Sequence, residues 1–344
     1  MKKALLFLTT LLFSLANAQV EFEVAPPYQI KTITFKQAGQ NVIPIFRLGE
    51  PFSIEFDDLY GTDNDYYFTI THCDVNWKSS NLPKQDYLAG MDDVRIMNYE
   101  NSFNTLQMYS HYKLNIPSQK LRLLISGNYI LKILNGNREV VFAKRFVLFE
   151  DVVQIPIQVK RGRDMKTIEQ VQNLDFAVKM GDQMLQNPVR NIELVLLQNG
   201  KWHTAKRNIK PQYTLGNDLI YKYDKETQFY GGNEFLYFDN NNIRVNTNNI
   251  ARVTSGDLYN VWLYTNTPRN RSLYTFFPDI NGNFQVRNNN NENPDLEADY
   301  AWVYFSLDEL ELNNKSIYVT GMFNNYMLTD ENKMTFNKKT KKYE

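Results

Sequence analysis

Cysteine is almost absent from this sequence of 344 residues, because Cys73 is the only one. A single thiol excludes an intrachain disulfide and a zinc site built on cysteines. A surplus of positive charge is also missing, since 38 basic side chains face 38 acidic ones. Nucleic-acid binders carry a clustered basic surplus, so the balanced charge argues against this class of protein. Hydrophobic residues make up 43% of the chain, which is enough to build a core and excludes a mainly disordered protein.

The first 18 residues have the order of charges, apolar residues and small residues that is typical of a secretory signal peptide. Lys2 and Lys3 precede the apolar run Ala4–Leu15, and small residues stand on both sides of Asn17. We predict cleavage after Ala18 and export by the general secretory route. The apolar run is shorter than the roughly 20 residues of a membrane-spanning helix, and no comparable run follows it. The mature protein is therefore expected not to insert into a membrane.

Alternation of apolar and polar residues, with many β-branched and aromatic side chains, dominates the rest of the chain. It is clear in Ile30–Phe35, Phe52–Phe56 and Tyr66–Ile70. This period of two predicts strands with one face on a core. Hairpin turns are predicted at three Asn-Gly pairs: Asn135-Gly136, Asn199-Gly200 and Asn281-Gly282. The pattern predicts an all-β fold made of tandem immunoglobulin-like and early-set β-sandwich modules.

The length favours more than one domain, because single cores stop growing at about 250–300 residues. A strand ends near residue 150, and an Asn-rich stretch at 288–293 is either a linker or a lengthened hairpin. We therefore predict a signal peptide at 1–18, a first sandwich at 19–150, a second sandwich at 151–294 and a partial early-set-like module at 295–344.

The sequence offers no convincing catalytic or metal-binding motif. The three histidines, His72, His111 and His203, belong to no known nucleophile or zinc pattern, and a structural role is favoured. The acidic segment 57–65 lacks the spacing of a calcium loop and is interpreted as a turn, with calcium binding as the weaker alternative. We predict no enzyme activity, no cofactor, no metal and no small-molecule substrate. A hydrolase with unrecognised residues remains a rival hypothesis.

Five blocks between residues 71 and 129 carry a family resemblance. They are Thr71–Trp77, Tyr87–Gly90, Ser102–Gln107, Tyr109–Tyr112 and Ser126–Tyr129. In order and spacing they resemble the N-terminal domain of the plug proteins of the type 9 secretion system of Bacteroidota. The resemblance is most specific from about residue 20 to residue 148 and continues more weakly to about residue 300.

The resemblance implies a binding function in the periplasm. Proteins of this family seal the periplasmic opening of a giant outer-membrane β-barrel, the translocon, when its gate is occupied by a shuttle partner. The expected partner is therefore this barrel, and no nucleic acid. The motif residues expected to be structural are His72, Asp74, Trp77, Tyr87, Gly90, Ser102, Phe103, Asn104, Gln107, Tyr112, Gly127 and Tyr129.

Individual roles follow from residue type. Trp77 and Phe103 are expected in the core of the first sandwich, with a pore-facing surface position as the alternative for Trp77. Ser102 and Asn104 are expected to flank a turn, and Gly127 to relax the start of a strand.

The last module has a resemblance of its own. Ile317–Tyr326 is similar to a segment of the early-set sandwiches that precede amylase-type catalytic domains and bind glycogen. Tyr326 stands where that segment has a tryptophan. The alternative function is therefore a glycan-binding module with Tyr326 as a sugar contact, although a likeness in fold does not transfer binding.

Overall fold

The computed structural model describes residues 20–181, 185–232, 235–247, 249–269, 278–289 and 293–344. The predicted signal peptide and part of the Asn-rich stretch lie outside these ranges. Among the described residues, 39% lie in strands and 7% in helices, so the predicted all-β fold is confirmed. Among the described residues, no helix is long and apolar enough to cross a membrane.

The chain forms two compact units. The first contains residues 20–58, 62–99 and 112–150, and the second contains 59–61, 100–111 and 151–344. The strands that begin up to residue 140 are β1 (Ile30–Gln37), β2 (Gln40–Asn41), β3 (Ile45–Arg47), β4 (Phe52–Asp58), β5 (Tyr67–Cys73), β6 (Leu88–Gly90), β7 (Val94–Arg95), β8 (Tyr99–Asn101), β9 (Ser110–Ile116), β10 (Leu121–Leu123), β11 (Gly127–Leu134) and β12 (Val140–Phe149). One helical turn, α1 (Lys84–Tyr87), precedes β6.

Two five-stranded sheets form the sandwich of the first unit. Their strand orders are β2-β1-β4-β9-β8 and β3-β12-β11-β5-β7, and β6 pairs with β10 beside them. Aromatic side chains of the two sheets meet between the layers: Phe56 of β4 lies edge-on to Phe142 of β12 with ring centroids 5.2 Å apart, and Phe52 lies 5.5 Å from Phe146. These contacts belong to one continuous core of buried apolar residues that holds the sheets together.

The hairpin predicted around residue 135 is present, but its turn differs from the expectation. Strands β11 and β12 pair antiparallel along their length. The loop closes through hydrogen bonds from Asn135 N to Glu139 O (3.0 Å) and from Arg138 N to Asn135 O (2.9 Å), and Arg138 has the left-handed φ of +65°. The prediction of a two-residue primed turn at Asn135-Gly136 was wrong, because the longer loop moves the left-handed position to Arg138.

The second unit contains more sheets than the first, and most of its strands are short. Its strands are β13 (Ile157–Arg161), β14 (Val171–Val178), β15 (Val195–Leu196), β16 (Lys206–Arg207), β17 (Tyr213–Leu215), β18 (Asp218–Tyr221), β19 (Gln228–Tyr230), β20 (Ile250–Thr254), β21 (Tyr259–Leu263), β22 (Ala301–Tyr304), β23 (Ile317–Tyr318), β24 (Lys333–Met334), β25 (Phe336–Asn337) and β26 (Lys342–Tyr343). Its helical turns are α2 (Pro188–Asn191), α3 (Pro294–Glu297) and the 3₁₀ turns Trp202–Thr204, Met322–Asn324 and Asp330–Asn332. At Asn199-Gly200 and Asn281-Gly282 all four residues have positive φ, as primed turns require. The prediction that these pairs close tight hairpins was wrong, because β15 and β16 pair across the long loop 197–205 and no described strand lies next to Asn281-Gly282.

Apolar clusters organise the described part of this unit. One contains Phe176 and Val178 of β14 with Leu219 and Tyr221 of β18, and another contains Ile250, Val261 and Leu263. Strand β21 pairs in parallel with β22, so one sheet includes strands on both sides of residue 294. The division of the chain into the three modules 19–150, 151–294 and 295–344 stays a prediction.

Candidate interaction surfaces

One group of motif residues packs around His72 in the first unit. The His72 ring lies edge-on to Tyr129 with centroids 5.0 Å apart and lies 5.7 Å from Tyr87. Gly127 has a φ of +147°, and a Cβ atom there would stand 2.3 Å from His72 Nε2. The Tyr129 hydroxyl donates to Ile125 O at 2.7 Å. These contacts join β5 to β11, which agrees with the structural role expected of these motif residues, and that role stays a prediction.

His72 gives this cluster a pH dependence. Burial lowers the pKa of the His72 imidazole, against a smaller opposite effect of a hydrogen bond to the Ser126 backbone. Between this lowered pKa and the usual value near about 6.5, the unfolded chain binds more protons than the folded one, so acid favours unfolding. We expect the unfolding free energy to fall from about pH 7 to pH 5 more steeply in the wild type than in His72→Gln, as measured by urea denaturation at each pH. Parallel pH profiles for the two proteins would contradict this role of His72.

Asp74 and Trp77 shape the turn that follows β5. Asp74 Oδ1 accepts hydrogen bonds from the backbone N–H groups of Asn76 (2.8 Å) and Lys78 (2.9 Å). Trp77 has a left-handed φ of +62° and a buried ring, with the Arg145 guanidinium 4.4 Å from its centroid. The turn therefore places Trp77 inward, and the alternative of a Trp77 ring on the exposed surface does not agree with this burial.

Gly90 and Tyr112 complete the motif residues of the first unit. Gly90 has a φ of +101°, and a Cβ atom there would lie 1.9 Å from Lys120 O, so only glycine allows β6 to pair with β10 at this distance. Tyr112 is buried between the rings of Phe56 and Tyr99, each with its centroid 5.1 Å away.

A second group of motif residues lies in the loop 102–109, which belongs to the segment 100–111 of the second unit. Ser102 Oγ accepts from Tyr109 N at 2.9 Å, and Thr105 Oγ1 lies 3.0 Å from the same oxygen. Gln107 Nε2 donates to Leu59 O at 2.9 Å, which ties this loop to residues 59–61. Asn104 has a left-handed φ of +57°. Ser102 and Asn104 thus belong to a turn, and Gln107 braces it.

The same loop is also bonded to the segment around α3. Phe103 N donates to Leu296 O at 2.9 Å, Leu106 N donates to Asp299 Oδ1 at 2.7 Å, and the Tyr109 hydroxyl donates to Ala298 O at 3.1 Å. The loop is therefore held by backbone and side-chain hydrogen bonds from two parts of its unit.

Four apolar side chains of this braced region face solvent, and we call them the loop patch: Tyr60, Phe103, Leu106 and Met108. Phe103 is 70% exposed, so the expectation that it fills the core was wrong. It stands beside left-handed Asn104 in a turn whose interior is occupied by hydrogen-bonded polar groups. The flanking Ser102 and Asn104 were a sequence signal for such an exposed position.

Tyr326 does not present a sugar platform. Its ring is buried, and the Lys201 ammonium lies 4.7 Å from its centroid and 5.0 Å from that of Phe235. The Tyr326 hydroxyl donates to Asn281 O. Because sugar binding requires an open ring face, the proposed glycan contact at Tyr326 is not supported by this position.

The sheet β20-β21-β22 carries an aromatic face that no sequence motif indicated. Trp262 and Tyr304 stack with centroids 4.8 Å apart, and the Arg252 guanidinium lies 4.0 Å from the Trp262 ring. Trp302 and Tyr264 are exposed nearby in sequence. Alternation of apolar and polar residues indicates a two-faced strand, but it does not show which face another element covers.

Comparison with known proteins identifies the first part of the chain. Residues 30–150 match the family model "Type 9 secretion system plug protein 1st domain". A crystal structure of a hypothetical protein from Parabacteroides merdae is similar over 94% of this chain and 84% of that chain, with a TM-score of 0.88 and 29% identity. No curated protein matches the chain. The resemblance to the plug family is thus confirmed over residues 30–150.

Proposed function

We propose that this chain, whose residues 30–150 match the model of the first domain of type 9 secretion system plug proteins, binds the outer-membrane translocon barrel and seals its periplasmic opening. The family match supports a secretion component associated with the cell envelope. The signal-peptide pattern of residues 1–18 supports its export to the periplasm.

The loop patch is the observation that most supports a binding function. Exposed apolar side chains that cluster on a soluble protein commonly mark an interaction site. Phe103, Leu106 and Met108 lie on a loop that hydrogen bonds already hold in one conformation. Binding through a preorganised loop costs less conformational entropy than binding through a mobile one. A seal needs such a stiff contact, because a flexible contact would let solutes pass.

The aromatic face of β20-β21-β22 adds a second surface suited to protein contacts. Trp, Tyr and Arg dominate the residues that contribute most to protein–protein affinity. Here Arg252, Trp262 and Tyr304 lie against one another on one sheet face. Several anchors of this kind on one chain suit a broad contact with a partner much larger than the chain.

An accessory and non-enzymatic role agrees with the plug family. In this proposal the protein acts through its shape and its exposed apolar side chains, and no residue is assigned to bond making or breaking.

Affinity purification tests the proposed partner. The full-length protein, tagged at its C-terminus and expressed in its native host, is expected to recover a very large outer-membrane barrel without its shuttle partner. A tagged periplasmic protein of similar size is the control. Recovery of only soluble proteins, or retention on polysaccharide in affinity electrophoresis instead, would argue for a different function.

A further inference from the structure

Strand β13 ends its sheet with one edge uncovered. The strand order is β13-β14-β18-β17, with β19 paired to β14, so within the part of the chain that the structure describes β13 has β14 as its single neighbour. Such an edge presents backbone donors and acceptors that can pair with another chain.

The register shows which backbone groups lie on the open edge. Ala177 N donates to Pro156 O, and Gly162 N donates to Val171 O, both at 3.2 Å. Even-numbered residues of this segment therefore bond to β14. Because consecutive residues of an antiparallel strand alternate in direction, the N–H and C=O groups of Ile157, Val159 and Arg161 point away from β14.

Apolar side chains accompany these free backbone groups. Ile157 pairs with Phe176 and Val159 pairs with Leu174, and both partners belong to or pack against the apolar cluster of this sheet. Ile157 is nevertheless 55% exposed and Val159 is 59% exposed. The core face of this sheet thus includes two apolar side chains that remain largely exposed. An added strand would bury them.

The charges at the end of β13 indicate the chemistry of the partner. Arg161 and Arg163 have side chains that are largely exposed, and their carboxylate partners lie at 3.8 Å (Glu169) and 3.2 Å (Asp224). Exposed ion pairs of this kind are worth about 0–1 kcal/mol, so a partner's carboxylates can replace them at little cost. A bidentate carboxylate contact is the interaction that arginine favours.

We propose that β13 is a docking edge for an extended, acidic segment of another protein, which adds a strand to this sheet. Main-chain hydrogen bonds to Ile157, Val159 and Arg161 supply affinity, and Arg161 with Arg163 selects a segment that carries carboxylates. The inference does not depend on the translocon being the partner.

Synthetic peptides test this edge on the full mature chain. The probe is a fluorescent peptide of about eight residues that alternates valine and threonine and ends in two glutamates. The control peptide has the same sequence but ends in two lysines. Fluorescence anisotropy is expected to show binding of the acidic peptide below about 1 mM, at least about tenfold tighter than the lysine peptide. The variant Val159→Pro removes an outward N–H and is expected to weaken binding at least about tenfold, whereas Val159→Thr keeps the N–H and the binding.

Charge reversal gives a second test that does not depend on proline. In the Arg161→Glu, Arg163→Glu double variant the lysine peptide is expected to bind better than the acidic one. Equal binding of both peptides to the wild type, unchanged binding to a folded Val159→Pro protein, or no binding at about 1 mM would overturn the proposal. A dimer in analytical ultracentrifugation that Val159→Pro dissociates would overturn it in favour of a second copy of this chain.

Discussion

Replacing Tyr112 with alanine is expected to destabilise the first unit by about 3–5 kcal/mol, the usual cost of emptying a large buried aromatic site. The Tyr112 ring is fully buried between Phe56 and Tyr99 and lies edge-on to Tyr66, with centroids 4.9 Å apart. Its hydroxyl donates to Asn64 O at 2.7 Å. The alanine variant loses the apolar burial, three ring contacts and one hydrogen bond together. Urea denaturation followed by tyrosine and tryptophan fluorescence measures the loss.

Two matched variants separate these contributions. Tyr112→Phe keeps the ring and is expected to lose about 1–2 kcal/mol for the hydrogen bond and the unpaired Asn64 carbonyl. Tyr28→Ala removes an exposed tyrosine of the same unit and is expected to change the unfolding free energy by less than about 0.5 kcal/mol. If Tyr112→Ala and Tyr28→Ala unfolded at the same urea concentration, the described core around Tyr112 would be wrong.

Placing two carboxylates in the loop patch is expected to abolish capture of the translocon barrel. In the Phe103→Asp, Met108→Asp variant, recovery of the barrel by the tagged chain should fall at least about tenfold, because a contact would then have to desolvate two unpaired charges. Both side chains are exposed, so the unfolding free energy should change by less than about 1 kcal/mol. Quantitative mass spectrometry of the purified complexes measures recovery, and the denaturation curve shows whether the variant folds.

An exposed apolar residue outside the loop patch provides the control. Leu215 lies on β17 of the same unit and is exposed, so Leu215→Asp introduces one carboxylate on an exposed apolar position elsewhere. This variant should recover the barrel as the wild type does. Equal recovery by the loop-patch variant, in a protein that remains folded, would show that another surface makes the contact.

The sequence predicted strand pairing best where apolar and polar residues alternate along a whole strand whose apolar face is buried. The segments 129–134 and 140–149 alternate over enough residues that only one pairing buries their apolar side chains, and β11 and β12 form this hairpin. The short strands of the second unit were harder to delimit. The hairpin expected around Asn199-Gly200 is limited to the pairing of Val195–Leu196 with Lys206–Arg207, because Trp202–Thr204 forms a 3₁₀ turn.

Surfaces were less predictable than the core. A phenylalanine in a motif suggests burial, yet Phe103 is exposed on a loop that hydrogen bonds to Leu296, Ala298 and Asp299 hold in place. These partners lie almost 200 residues away in sequence, and local patterns contain no information about them. The open edge of β13 likewise depends on which strands pair, and a single sequence does not specify that order.

Site-specific photo-cross-linking tests the central claim most directly. A benzophenone amino acid at position 103, in the tagged chain expressed in its native host, is expected to give a cross-link to the very large outer-membrane barrel. The same amino acid at position 215 should not give this product. A cross-link at 215 but not at 103, or products at 103 that contain only soluble periplasmic proteins, would contradict a function in which the loop patch contacts the translocon.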